Sequence, residues 1–219
     1  MQGHTRELFD SAASDASRER LAPGAWLLRG FALRPARALL TAIEHIQTAA
    51  PFRHLVTPGG FRMSVAMTNC GSLGWVSDSR GYRYDAVDPL SGRPWPEMPA
   101  VFLELAAAAA QAGGFPGFTP DACLLNRYEP GARLTLHQDK DERDFSAPIV
   151  SVSLGLPAIF LFGGDSRKDK RQRVPLQHGD VLVWGGPARL RHHGVLALAD
   201  GHHDVLGAQR LNLTLRQAG

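Results

Sequence analysis

Apolar and polar residues alternate with period two over most of this chain. In FRMSVAMT (61–68), Phe61, Met63, Val65 and Met67 fall on one face. The pattern returns in ACLLNRY (122–128), ARLTLHQD (132–139), IVSVSLG (149–155), AIFLFGG (158–164), VLVWGG (181–186), ARLRHHGV (188–195) and RLNLTLRQ (210–217). Such alternation predicts strands, because successive strand side chains point to opposite faces. Turn residues separate the segments: EPG at 129–131, the paired glycines, and HGD at 178–180. Two segments carry the helical period instead. Residues 34–50 set Leu39, Leu40, Ile43 and Ile46 on one face, with Pro35 at the start. Residues 98–114 open with Pro99, run through good helix-forming alanines and close on two glycines. Many short strands spaced by turns predict a sandwich or barrel, with the two helices covering one outer face.

The last strand poses a choice. Leu211, Leu213 and Leu215 share one face; Arg210, Asn212, Thr214 and Arg216 share the other. Either the arginines lie in water, as on a half-exposed strand, or they line a barrel whose lumen is polar because a ligand fills it.

Composition narrows the setting. A chain of 219 residues that is 44% hydrophobic can bury a sizeable core. No apolar run reaches the ~18 residues of a membrane span. The opening stretch, residues 1–20, is polar and carries acids, so it does not read as a secretory signal. Cys70 and Cys123 are the only cysteines, with no CxxC spacing. That rules out a disulfide framework and points to a reducing cytoplasm. A net charge of +3 permits a polyanionic partner without requiring one. Nothing signals an obligate oligomer, so the expectation is a monomer.

The chemistry begins with HxD. On a strand, residues two apart share a face, so a His and an Asp so spaced can grip one ion. A third His from another strand completes a 2-His-1-carboxylate triad of the kind that holds non-haem Fe(II). The chain contains three HxD pairs. His178/Asp180 straddles a turn. His202/Asp204 sits in a loop with no later imidazole of its own to recruit. His137/Asp139 ends an alternating strand and has His192 and His193 about 54 residues further on. Only one of those neighbours can face inward, and spacing favours neither.

The segments 51–75, 121–142, 147–164, 178–186 and 210–219 together closely resemble the AlkB family. Its members are Fe(II)- and 2-oxoglutarate-dependent dioxygenases that remove alkyl lesions from nucleic-acid bases. The signature is the combination NRYxPGAxLxxHxDxDE at 126–142, a distant H-G, and RxNxTxRQ at 210–217. The resemblance implies a mainly β fold with flanking helices (α+β). Its core would be a double-stranded β-helix, or jelly roll, with an N-terminal nucleotide-recognition lid. It implies one catalytic domain over 1–219, with an N-terminal extension and helix to about residue 50, the lid over about 51–95 and the dioxygenase core over about 115–219. It also implies Fe(II) as cofactor, with 2-oxoglutarate and O2 as cosubstrates.

Residue by residue, the resemblance assigns His137, Asp139 and His193 to the metal, the last because it directly precedes Gly194. It assigns Arg210 and Arg216 to 2-oxoglutarate, with Asn126, Tyr128 and Asn212 assisting. Trp75 matches the residue that stacks on the damaged base, and Asp141 the one that faces its exocyclic amine. Tyr82, Tyr84, Thr57 and Arg167 match contacts to the substrate backbone. Arg167 opens a stretch with five cations between 167 and 173. Glu142, Arg143 and Asp144 read as an ordinary turn, and Trp95 as packing. Met63 and Met67 are open between lid and core. The implied reaction is oxidative demethylation of bases such as 1-methyladenine and 3-methylcytosine in single-stranded DNA or RNA, releasing formaldehyde, succinate and CO2. Leu211 and Leu215 stand where the family has aromatics, and so does His192, which bears on lesion preference. The competing readings are a hydroxylase of a protein or small molecule, and a jelly-roll binding module without catalysis.

Overall fold

The computed structural model describes residues 17–219; the start of the polar N-terminal stretch, residues 1–16, lies outside the described residues. In chain order the elements are β1 (Arg18–Ala22), β2 (Ala25–Leu28), α1 (Ala36–Ala49), β3 (Arg53–Val56), β4 (Arg62–Gly71), β5 (Gly74–Asp78) and β6 (Gly81–Asp85). There follow α2 (Ala100–Gly113), β7 (Ala122–Tyr128), β8 (Leu134–His137), β9 (Ile149–Gly155), β10 (Ala158–Phe162), β11 (Gln172–Leu176), β12 (Val181–Trp184), β13 (His193–Val195) and β14 (Arg210–Arg216). An eight-stranded sheet runs β1-β2-β12-β9-β14-β7-β4-β3 and faces a four-stranded sheet, β11-β10-β13-β8. β5 and β6 form a separate hairpin. The double-stranded β-helix is therefore present, with both helices on one outer face.

Two hydrophobic layers result. Leu211, Leu213 and Leu215 of β14 pack outward with Leu39, Ile43 and Ile46 of α1 and with Phe102, Leu105 and Ala109 of α2. Burying each such leucine contributes about 1.5–3 kcal/mol. Between the sheets lie Val65, Met67, Phe160, Phe162, Leu182 and Trp184. Met67 is thus core, while Met63 only packs against it. α2 stops at Gly114, whose φ of 90° is left-handed and whose N–H caps Ala110 and Gln111.

β14 is hydrogen-bonded on both sides, to β7 and β9. Its polar face therefore looks into the space between the sheets, where Arg210 is 1% and Arg216 6% exposed. The arginines do not lie in water.

Several elements differ from the sequence pattern. The strand expected over 132–139 stops at His137, because its one neighbour β13 offers only three residues and a bulge. The segment 188–195 is mostly not strand. A 3-10 turn at Gly186–Ala188, built around Pro187, consumes its start. β1 and β11 escaped the pattern because each is a sheet edge, and edge strands carry charge on their open side. Part of the expected lid, β3 and β4, hydrogen-bonds into the large sheet; only the β5–β6 hairpin stands apart from it. Trp95 packs as expected, 5% exposed, with its Nε1 donating to the Asp85 carbonyl. Cys70 and Cys123 face each other across β4 and β7 as buried free thiols. No helix among the described residues is long and apolar enough to cross a membrane.

Candidate active site

A cavity of about 810 Å³ opens between the two sheets, lined by both β14 arginines and the HxD segment. The ladder sets its centre. β13 pairs antiparallel with β8 so that His193 stands opposite His137, ring centroids 4.4 Å apart. Gly194 allows this approach: a Cβ there would sit 2.7 Å from the Leu134 carbonyl oxygen. Asp139 enters from just beyond the end of β8. One ligand atom from each of His137, Asp139 and His193 lies within 4.8 Å of the others. His137 Nε2 is 3.5 Å from Asp139 Oδ1, and His193 Nε2 is 3.7 Å from Oδ2. Each imidazole has Nδ1 against a backbone carbonyl two residues earlier, Thr135 for His137 (2.9 Å) and Arg191 for His193 (3.0 Å). A proton held there leaves the Nε2 lone pair free for a metal.

The charges agree with that use. Burial works to raise the Asp139 pKa, but Arg216, then His193 and His137, overcome it and hold the carboxyl well below its ordinary value. Burial, helped by His137 and opposed by Asp139, pushes His193 down to about 4. At neutral pH the set is therefore a carboxylate and a neutral His193, the forms that ligate. Arg216 Nε and Nη2 both donate to Asp139 Oδ2, at 3.0 and 2.7 Å, leaving Oδ1 toward His137.

Arg210 is the other cation on that strand face, and it is incompletely satisfied. Its Nη2 donates to Ser153 Oγ at 3.0 Å and its guanidinium lies 4.9 Å from the Tyr128 ring centroid. Its Nε and Nη1 are buried without partners. Burial lowers its pKa, against the pull of Tyr128. A buried guanidinium with two idle donors matches a carboxylate bidentately, so the residues present fit a dicarboxylate cosubstrate beside a metal. Asn126 Nδ2 donates to Asn212 Oδ1, and Asn212 Nδ2 to Ser151 Oγ and the Val152 carbonyl. Asn212 is thereby occupied, whereas Asn126 Oδ1 remains unpartnered.

The hairpin supplies the mouth. Trp75 stacks on Tyr82 with centroids 5.5 Å apart and planes 13° off parallel, and Trp75 Nε1 donates to Asp141 Oδ2 at 2.8 Å. Thr57 and Arg167 also line the cavity. Tyr84 does too, but its hydroxyl donates to Glu142 Oε1 at 2.7 Å. Glu142 corrects a sequence expectation. It is no ordinary turn residue but is 6% exposed, paired with Arg189 (3.1 Å) and Arg216 (3.3 Å). Two guanidinium groups offset the cost of burying its charge.

Sequence reasoning also passed over Asn69 and Trp184. Asn69 brackets the Trp75 backbone, accepting from its N–H and donating to its carbonyl, each at 3.0 Å. Trp184 forms the wall edge-on to His193, with centroids 5.1 Å apart. No local motif marks either one; both matter through contacts that only folding creates.

Comparison with known proteins agrees with this geometry. The sequence profile of the 2OG-Fe(II) oxygenase superfamily matches residues 24–216. The chain is 55% identical to alpha-ketoglutarate-dependent dioxygenase AlkB of Salmonella typhimurium over 212 residues, 96% of this chain and 98% of that protein. It is 55% identical to the protein of the same name from Escherichia coli, over 95% of this chain and 96% of that protein. The structure of OsALKBH1 superposes with a TM-score of 0.81 at 32% identity, covering 92% of this chain and all of that one.

Proposed function

The chain belongs to the AlkB family of 2OG-Fe(II) oxygenases and is an Fe(II)- and 2-oxoglutarate-dependent dioxygenase, and on that premise we propose that it removes alkyl groups from damaged bases in single-stranded nucleic acid. The observation that carries the proposal is one cavity with three metal-type ligands at its centre, an open guanidinium behind them and an aromatic–carboxylate pair at its mouth.

In this reading His137, Asp139 and His193 hold the iron through Nε2, a carboxylate oxygen and Nε2. Arg210, backed by Tyr128 and Asn126, takes the far carboxylate of 2-oxoglutarate. Arg216, which the resemblance assigned to 2-oxoglutarate alongside Arg210, directs its Nε and Nη2 at Asp139, so in this reading it keeps Asp139 ionised and turned toward the metal. Bound iron, with 2-oxoglutarate and O2, supplies an oxidation that hydroxylates the N-alkyl carbon, leaving succinate and CO2 and, from a methyl group, formaldehyde. Trp75 stacks on the base, and a cationic ring over an indole gains about 0.5–2 kcal/mol. Asp141 adds a carboxylate that favours 1-methyladenine and 3-methylcytosine, which are cations. Thr57, Tyr82 and Arg167 meet the flanking backbone. Tyr84, its hydroxyl engaged by Glu142, contributes by anchoring the hairpin. Extruding a base costs a few kcal/mol, and least where pairing is already lost. We place the enzyme in the cytoplasm, as a monomer.

The test is anaerobic loading with Fe(II) and 2-oxoglutarate, then air, with a 1-methyladenine oligonucleotide. Formaldehyde and loss of one methyl mass are expected. Turnover without 2-oxoglutarate would contradict the mechanism, and binding without demethylation would favour a module that only recognises its ligand.

A further inference from the structure

Asp139 raises a structural question. A metal ligand must be held to within a fraction of an ångström, yet Asp139 lies beyond the last residue of β8, in the irregular stretch leading to β9 at Ile149. No strand ladder fixes its backbone. Its neighbours Asp141 and Glu142 share that stretch, so the hairpin's two anchors, Trp75 to Asp141 and Tyr84 to Glu142, depend on it too.

One side chain ties the stretch down at three points. Arg189 follows the 3-10 turn after β12 and is 3% exposed. Its Nη1 donates to the Asp139 carbonyl at 2.8 Å and its Nε to the Ala147 carbonyl at 3.1 Å. Its Nη2 pairs with Glu142 Oε2 at 3.1 Å. The guanidinium also lies 5.3 Å from the Phe145 ring centroid. These acceptors span residues 139–147, and Arg189 is absent from the cavity lining. We propose that Arg189 is a positioning residue for the metal centre, its fork replacing the ladder that ends at His137 and fixing the backbone from which Asp139, Asp141 and Glu142 project. The inference rests on reading His137, Asp139 and His193 as the iron ligands. Arginine suits the task because its rigid fork spreads donors over three nitrogens and so reaches well-separated acceptors, whereas an ammonium offers its three donors from a single nitrogen.

The experiment titrates Co(II) into the metal-free protein anaerobically, following its d–d absorption, alongside thermal unfolding without metal. Three variants are compared with wild type: Arg189→Met, Arg189→Lys and the double variant Arg189→Met/Glu142→Gln. Loss of an outer-shell partner of a metal ligand lowers metal affinity about 10- to 100-fold. That loss is expected for Arg189→Met, with a smaller one for Arg189→Lys. The double variant removes the Glu142 charge, which Arg189→Met leaves with Arg216 as its one guanidinium partner, so it should recover thermal stability while keeping the loss of Co(II) affinity. Recovery of affinity in the double variant would overturn the proposal, since Arg189 would then serve only to neutralise Glu142. Wild-type affinity in Arg189→Met or Arg189→Lys would overturn it as well. Failure of the wild-type protein to bind Co(II) would instead overturn the reading of the metal centre itself.

Discussion

Replacing Arg210 with methionine should separate cosubstrate binding from stability. The guanidinium is 1% exposed, yet Nε and Nη1 have no partner in the protein. Without cosubstrate, the cation is buried at a cost returned only by Ser153 and the Tyr128 face, and a cation–π contact returns about 0.5–2 kcal/mol. Methionine keeps much of the apolar stem and removes that cost. The metal-loaded protein without cosubstrate should therefore unfold within about 1 kcal/mol of wild type, by analogy with apolar replacement of buried charges. With 2-oxoglutarate the picture reverses. Removing one partner of a buried ion pair costs about 3–5 kcal/mol. At 1.4 kcal/mol per decade, affinity should fall about 100- to 4,000-fold. The assay is thermal unfolding of Co(II)-loaded protein under nitrogen, with and without 2-oxoglutarate at about 100 times the wild-type Kd. Wild type should gain about 2.7 kcal/mol from the ligand, or roughly 5–10 °C for a domain of this size. Arg210→Met should gain almost nothing. An equal ligand-induced shift in the two proteins would refute the assignment of Arg210 to the carboxylate.

Two further outcomes follow from the charges. The folded His193 pKa of about 4 lies below its unfolded value of 6.5, so between those values the unfolded chain takes up a proton that the folded chain refuses. Metal-free protein should therefore lose roughly 2–3 kcal/mol between pH 7.5 and 4.5 from this group. Asp139, held well below the ordinary carboxylate range, adds a loss only at still lower pH, below its unfolded value of 3.8. Urea unfolding should show a smaller pH dependence in His193→Gln; equal slopes in the two proteins would sink the argument. Asp141→Asn should lower the preference for cationic 1-methyladenine over neutral 3-methylthymine about fivefold, the worth of an exposed charge pair near 1 kcal/mol. Uncoupled 2-oxoglutarate decay should change less. Equal losses in both would remove Asp141 from substrate recognition.

The sequence by itself determined the elements whose two faces differ strongly. β7, β9 and β14 match their alternating segments closely, and both helices sit where their periodicity and glycine or proline boundaries put them. Each buries an apolar face, and burial writes its period into the chain. The motifs also carried the site's chemistry, since HxD and RxNxTxRQ each place their polar residues on one side of an extended backbone. Tertiary structure decided the rest. Whether Arg210 and Arg216 met water or a cavity depended on a second sheet above them. The choice of His193 over His192, which spacing left open, follows in space from the antiparallel register with His137. Edge strands β1 and β11 stayed hidden because a strand with one side in solvent need not alternate cleanly. Arg189 carries no local signal, and Glu142, although it closes the signature at 126–142, reads locally as a turn residue. They lie 47 positions apart in the chain, and burial of their charges becomes affordable only when folding brings each to the other and both to the neighbourhood of Asp139.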